Sequence, residues 1–172
     1  MESKAKLFGH PLHQMLVVFP LGLLGASVVF DLLYLLGGYA GGAMVAYALI
    51  AAGCVAGLLA APWGTIDWLA LPKGTRAKAI GALHGGGNVV VLLLFGLSWW
   101  LRYRAGEPPP TAAWVASFCG TALALFTAWL GGELVDRLGV GVSPHAHLDA
   151  RSSLDGPAEP ATAAEAARHA AR

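Results

Sequence analysis

The feature that most constrains this chain is the spacing of its charged residues. Four long stretches contain no Lys, Arg, Asp or Glu: residues 7–30, 32–66, 79–101 and 108–132. A helix needs about 20 mostly apolar residues to cross the hydrocarbon core of a bilayer, because it rises only about 1.5 Å per residue. The stretches are long enough, and they do not alternate apolar and polar residues as barrel strands do. The sequence therefore predicts an all-α, four-helix transmembrane bundle.

The composition favours the same class of protein. Of the residues, 56% are hydrophobic and 12% are charged, whereas about a quarter are charged in a typical soluble domain. The formal net charge of +1 provides no basic excess for contacts with phosphates, so nucleic acid is not an expected partner. The lipid bilayer is.

The apolar pattern covers most of the chain and then stops. We expect one membrane domain over residues 1–142, with spans at about 12–36, 42–61, 79–101 and 112–134. Residues 143–172 are expected to form a flexible polar tail, with a short helix over 161–172. The first apolar stretch is longer than the core of a signal peptide, and no small-x-small cleavage site follows it, so we expect it to be retained.

The basic residues of the loops predict the orientation. With four spans, both termini share a side with the middle loop. The basic residues on that side are Lys4, Lys6, Lys73, Arg76, Lys78 and Arg137. The opposite loops carry Arg102 and Arg104. The positive-inside tendency then predicts that both termini lie in the cytoplasm.

A weak internal repeat relates the two halves of the chain. Two pairs of residues have the same spacing: His13 with Asp31, and His84 with Arg102. A tryptophan precedes a carboxylate by four residues in the second helix of each half: Trp63 with Asp67, and Trp129 with Glu133. The pattern predicts two helical hairpins related by a pseudo-twofold axis along the membrane normal, which would set the two histidines against each other.

Ionisable residues at the spans are the candidates for chemistry, because charge is costly in hydrocarbon. Five of them are predicted on the cytoplasmic side: His10, His13, Asp67, His84 and Glu133. Asn88 lies one turn deeper than His84. At the opposite side Asp31 is level with Arg102, and we expect these two to form a structural ion pair.

Each candidate also has a structural interpretation. His10 and His13 could share a helix face and chelate a metal, or could bond the chain where it enters the membrane. His84 is followed by three glycines, which could clear a face for a flat cofactor or allow close helix packing. Asp67 could accept backbone donors or pair with Arg76, and Glu133 could pair with a loop cation such as Lys73 or Arg76. The residues alone leave these alternatives open.

Several motifs follow one another along the chain. They are GHPLHQMLVVFPLGLL at 9–24, FDLL at 30–33, GTIDWL at 64–69, PKGTRA at 72–77, LH at 83–84 with Asn88, and WLGGELV at 129–135 with GV at 139–140. In this order they resemble the bacterial membrane-protein family catalogued as domain of unknown function 2231, over residues 8–142. The resemblance implies four spans in a bacterial inner membrane and no established activity. Some relatives are joined to Rieske iron–sulfur domains, which implies a redox protein partner. Relatives often carry a third histidine where this chain has Val18.

The sharpest hypothesis is a haem b site between the first and third spans. Six-coordinate haem iron needs two imidazoles at similar depth on neighbouring helices, and we expect His13 and His84, with His10 as the alternative ligand. The residues expected to orient the imidazoles are Asp67, Glu133 and Asn88. Those expected to contact the haem propionates or anionic lipid are Lys73, Arg76 and Lys78. The alternative is a divalent metal held by His10, His13, His84 and Glu133.

Three classes of function remain open. The first is electron transfer by the cofactor. The second is a non-catalytic membrane anchor or subunit whose polar cluster is structural. The third is a small ion or proton transporter, which we rank last because the midplane is apolar apart from Asn88. A homo-oligomer is compatible with each of them, and no motif specifies an enzyme class.

Overall fold

Four long helices dominate the computed structural model, which describes residues 1–155. In chain order the elements are β1 (Lys6–Leu7), β2 (His10–Pro11), α1 (Leu12–Leu16), α2 (Val18–Gly37), α3 (Gly42–Ala70), α4 (Arg76–Ala105), α5 (Thr111–Gly132) and a π-helix over Glu133–Arg137. Within the described residues, four helical segments are long and apolar enough to cross a membrane: Leu12–Gly37, Gly42–Ala70, Arg76–Ala105 and Thr111–Arg137. The predicted all-α four-helix bundle is confirmed. The predicted helix over 161–172 lies outside the described residues.

Two prolines lie inside the membrane-spanning segments. Pro20 has no N–H to donate to the carbonyl of Leu16, and the first span is interrupted nearby at Val17, between α1 and α2. Pro62 lies within α3, which continues through it to Ala70, well past the span predicted at about 42–61. Other helices pack against both segments, as is common for prolines in membrane helices.

The bundle consists of two hairpins. α2 packs along α3, and α4 packs along α5, while contacts between α3 and α4 join the hairpins. Glycines allow the close approach within each hairpin: a Cβ at Gly53 would lie 2.5 Å from Leu24 Cδ2, and a Cβ at Gly120 would lie 3.0 Å from the ring of Phe95. Small residues at such contacts are typical of membrane helices, whose association depends on van der Waals packing.

These contacts show the predicted repeat. Leu24 and Phe95 are separated by the same number of residues as His13 and His84, so they are equivalent positions of the two halves. The glycines that they contact, Gly53 and Gly120, are the matching pair on α3 and α5. The equivalent residues of the two halves also meet at the centre of the bundle. The buried core there consists of Leu24, Ile50, Val91 and Phe95.

A buried ion pair joins the hairpins near one end of the bundle. Arg102 donates from Nη1 to Asp31 Oδ1 at 2.8 Å and from Nη2 to Asp31 Oδ2 at 2.7 Å. The two side chains are 2% and 0% exposed. Ser117 donates a further hydrogen bond to Asp31 at 3.3 Å, and Arg102 Nε donates to Ser98 at 3.3 Å. The charges are therefore paired and hydrogen-bonded, which is what makes their burial tolerable.

The two ends of the described chain meet at the opposite end of the bundle. The amino group of Met1 donates to the carbonyl of Gly139 at 2.9 Å. Asp67, near the end of α3, accepts a hydrogen bond of 2.7 Å from Ser3 Oγ and one of 2.7 Å from the backbone N–H of Lys4. The N-terminal segment thus lies on the same side as the α3–α4 loop. We call this side the inner end.

Exchanging the two buried charges, Asp31→Arg together with Arg102→Asp, should preserve the fold. The repeat gives both positions a serine one helical turn earlier, Ser27 before position 31 and Ser98 before position 102. Either single exchange places two like charges together and should lower the free energy of unfolding by at least about 3 kcal/mol. Thermal unfolding in detergent measures the effect. A double variant no more stable than the single variants would contradict the equivalence.

Candidate functional site

His13 lies against the backbone of α3. Its Nδ1 is 3.1 Å from the carbonyl oxygen of Ala60. Because a carbonyl can only accept, Nδ1 carries the proton and donates it. Gly64 follows Ala60 by one helical turn, and a Cβ there would lie 2.9 Å from the imidazole. Glycine at this position therefore exposes the carbonyl to the ring.

His84 repeats this arrangement on α5. Its Nδ1 donates to the carbonyl of Thr127 at 2.8 Å. Gly131 follows Thr127 by one turn, and a Cβ there would lie 3.2 Å from His84 Cε1. Each imidazole thus binds the two helices of its own hairpin together.

The contacts fix the register of the second helix in each half. Ala60 and Thr127 have the same spacing as Gly64 and Gly131, and this is also the spacing of the glycines that contact Leu24 and Phe95. It differs by one residue from the register that Trp63 and Trp129 suggested. The small residues that contact the first helix define the repeat, whereas the tryptophans and carboxylates do not.

The two imidazoles face each other across the boundary between the hairpins. Their ring centroids are 6.3 Å apart and their planes are nearly perpendicular, at 88°. Both rings are partly buried. α1 and α4, which carry them, make few close backbone contacts with each other. The structure therefore brings together His13 and His84, the two residues expected to lie on the pseudo-twofold axis.

The second nitrogens of the two rings have different surroundings. With Nδ1 protonated, a neutral imidazole presents a lone pair on Nε2. At His84 this nitrogen is 3.2 Å from Asn88 Nδ2. At His13, no hydrogen-bond partner of Nε2 lies within residues 1–155. We refer to His13, His84 and Asn88 as the imidazole site.

His10 lies apart from this site. The sequence suggested that His10 and His13 share a helix face with Pro11 in the first turn, but Pro11 precedes the helix in extended conformation, with φ −62° and ψ 123°. His10 belongs to β2 and its Nε2 is 3.3 Å from Ser153 Oγ. Helical geometry is disfavoured for a residue that precedes a proline, as His10 precedes Pro11, which accounts for the difference.

The two carboxylates also bond elsewhere. Asp67 binds the N-terminal segment through Ser3 and Lys4, and Glu133 pairs with Arg76 Nη2 at 3.0 Å. Among residues 1–155, no group of three His, Cys, Asp or Glu side chains could hold a metal ion. The four-ligand divalent site that the sequence suggested is therefore not assembled there, and the imidazoles are oriented by backbone carbonyls.

The predicted cations differ in their availability. Lys78 Nζ donates to the carbonyl of Trp68 at 2.7 Å and lies 4.0 Å from the centroid of its ring. Arg76 is paired with Glu133, and Lys73 is exposed in the α3–α4 loop. Of the three, Lys73 is the one that faces solvent and whose side chain makes no hydrogen bond or ion pair with residues 1–155.

The glycines after His84 have separate roles. A Cβ at Gly87 would lie 2.5 Å from Thr127 Cγ2, so this glycine permits the packing of α4 on α5. Gly85 and Gly86 have no atom of the described chain within 4 Å of an added Cβ. Close packing therefore explains Gly87 but not its two neighbours.

Replacing Gly64 by valine should displace His13 from the Ala60 carbonyl. The new side chain would overlap the imidazole, and such overpacking lowers the free energy of unfolding by about 1–3 kcal/mol. The matched control is Gly85→Val, which meets no neighbour and should stay within about 0.5 kcal/mol of the unaltered protein. Thermal unfolding in detergent compares them, and equal effects would show that His13 does not need the glycine.

A known protein family matches most of the chain. A family model described as "Predicted membrane protein (DUF2231)" matches residues 9–144. No curated protein and no solved structure gives a significant match. The matched region includes all four spans, His13, His84 and Asn88. The chain belongs to the DUF2231 family of predicted membrane proteins.

Proposed function

We propose that His13 and His84 hold haem b as its two axial ligands, and that the protein is a membrane-embedded electron-transfer subunit. One observation carries this proposal: the two imidazoles face each other, with 6.3 Å between their ring centroids. Each is anchored through Nδ1 to a backbone carbonyl.

The number of ligands favours haem over a free divalent ion. The porphyrin supplies four nitrogens, so the protein needs to provide only two. A protein-bound zinc or similar ion needs three or four protein ligands. The imidazole site offers two, and within residues 1–155 no larger group of metal-binding side chains occurs.

The chemistry of the rings is suited to metal binding. Ligating histidines usually donate their other N–H to a carbonyl or carboxylate, which fixes the tautomer and the orientation of the ring. The carbonyls of Ala60 and Thr127 supply this support. The lone pairs of both Nε2 atoms are then the ones available to a metal.

The spacing of the rings is compatible with an axial pair. Metal–nitrogen bonds of about 2 Å place two axial nitrogens about 4 Å apart, and the width of the rings extends the centroid separation to roughly 6 Å. The observed separation is 6.3 Å. The scarcity of close contacts between α1 and α4 favours entry of a flat group between the hairpins.

Bound haem b would supply one-electron chemistry at this site. His13 and His84 would hold it, the carbonyls of Ala60 and Thr127 would keep both imidazoles oriented, and the buried core around Leu24 and Phe95 would exclude water from the deeper side. Lys73, which is exposed in the α3–α4 loop, would be available to a haem propionate at the inner end. A redox protein on that side would be the electron partner.

A structural role is the second candidate. Both imidazoles bind helices together within their hairpins, Asp67 fastens the N-terminal segment, and Glu133 binds the start of α4 through Arg76. An anchor or subunit would need nothing more from these residues. This role predicts no spectral change on adding haem.

The haem proposal is tested by titrating the detergent-purified protein with haemin. The unaltered protein should bind one equivalent and give the spectrum of six-coordinate, low-spin iron in both oxidation states. His13→Ala and His84→Ala should each remove one axial ligand and produce a five-coordinate, high-spin spectrum. His10→Ala is the matched control and should leave the spectrum unchanged. An unaltered protein that binds no haemin, with normal thermal unfolding, would leave the structural role in place.

The orientation is a separate proposal. We infer that the inner end faces the cytoplasm, because six basic residues of the membrane domain lie at that end and two, Arg102 and Arg104, lie at the opposite end. A reporter enzyme fused after Val142 should therefore be active only if it is of the kind that functions in the cytoplasm. Activity of a periplasmic reporter at the same position would reverse the orientation and place the imidazole site near the outer face.

A further inference from the structure

Asn88 makes the two halves of the imidazole site unequal. The repeat gives each histidine the same carbonyl anchor, but the residue equivalent to Asn88 in the first half is Val17, and the residue equivalent to Thr127 is Ala60. An amide and a hydroxyl therefore accompany His84, whereas apolar side chains occupy the matching positions beside His13. The two rings are held alike but are hydrogen-bonded differently.

The hydrogen bonds around Asn88 fix the orientation of its amide. The backbone carbonyl of His84 can only accept, and the Asn88 amide lies 2.9 Å from it, so the NH₂ group points toward His84 and Oδ1 toward Thr127 Oγ1. His84 Nδ1 already donates to the Thr127 carbonyl, so its Nε2 must accept. The 3.2 Å contact between Asn88 Nδ2 and His84 Nε2 is therefore a hydrogen bond donated by the amide.

We propose that Asn88 is a positioning residue that occupies the metal-binding nitrogen of His84, so that a haem binds His13 first and His84 only after the amide withdraws. This inference rests on the proposed function for the haem, although the hydrogen bond itself can be tested without it. It assigns different tasks to the two ligands: His13 has an open Nε2, and His84 has one that is reversibly covered.

The withdrawal of the amide requires little rearrangement. Asn88 Nδ2 also donates to the backbone carbonyl of His84 at 2.9 Å, and its Oδ1 stays bonded to Thr127. The amide has to leave the lone pair of Nε2 before a metal can bind there, and the carbonyl of His84 gives its NH₂ another acceptor when it does. One hydrogen bond is exchanged, and a net hydrogen bond corresponds to about a fivefold change in affinity.

The hydrogen bond is tested in haem-free protein by NMR. Asn88 is the one asparagine of the chain, so ¹⁵N-asparagine labelling gives a single side-chain amide signal. His84→Ala should shift this signal by removing its acceptor, and His13→Ala, the matched control, should leave it nearly unchanged. An amide signal that ignores His84→Ala would overturn the inference, because Asn88 would then not cover Nε2.

The effect on the ligand is tested by haemin titration. Asn88→Leu keeps the size of the side chain and removes the amide, so haemin affinity should rise about fivefold. Gln14→Leu makes the same chemical change at an exposed position beside His13 and should not alter the affinity. If the unaltered protein binds haemin and Asn88→Leu binds it no more tightly, this inference fails while the haem proposal stands. If the unaltered protein binds none, the haem proposal fails and the NMR experiment still decides the role of the amide.

Discussion

The inner half of the bundle depends on one kind of contact, in which an imidazole lies on a glycine and donates to a helix carbonyl. Each carbonyl oxygen has two lone pairs, and its own helix uses one. A side chain four residues later would cover the second, but Gly64 and Gly131 leave it open. Because hydrocarbon offers no water to an unpaired N–H, this acceptor is what makes the burial of each histidine tolerable. The same contact therefore stabilises the hairpins and fixes the tautomer of both rings.

The pseudo-twofold arrangement explains why the two polar centres differ in character. Equivalent residues of the halves meet on the axis, so a charged residue would meet its own kind if the repeat were perfect. At one end the halves have diverged to Asp31 and Arg102, which attract each other. At the inner end both halves keep histidine, which is compatible with self-pairing because a neutral imidazole carries no charge. The apolar core around Leu24 and Phe95 separates the two centres.

Much of this arrangement could be predicted from the sequence, because it depends on composition and on spacing along one helix. The four charge-free stretches predict the spans. The equal spacing of His13 to Asp31 and of His84 to Arg102 predicts which residues meet. Both features involve the first helix of each half, and a helix carries its residues to a depth that follows from the rise per residue.

The partners of the carboxylates could not be predicted in the same way. Asp67 is bonded by Ser3 and Lys4, and only the path of the N-terminal segment brings them to it. Glu133 and Arg76 meet because α4 begins where α5 ends, which charge spacing suggests but does not decide. The carbonyl acceptors of the histidines carry no side-chain signal at all. The sequence indicates them only through Gly64 and Gly131. The more conspicuous pair, Trp63 and Trp129, suggests an alignment of the two halves that is wrong by one residue.

The depth of the imidazole site limits how electrons could pass through it. His84 lies about 12 Å along α4 from Arg76 at the inner end, and roughly 27 Å from the level of the Asp31–Arg102 pair, at 1.5 Å per residue. A cofactor at this depth would exchange electrons with a partner at the inner face or with a carrier within the adjacent leaflet. The core beyond it is packed by the apolar residues Leu24, Ile50, Val91 and Phe95. If the site holds a haem, as we propose, this depth favours electron exchange on one side of the membrane over a path across it.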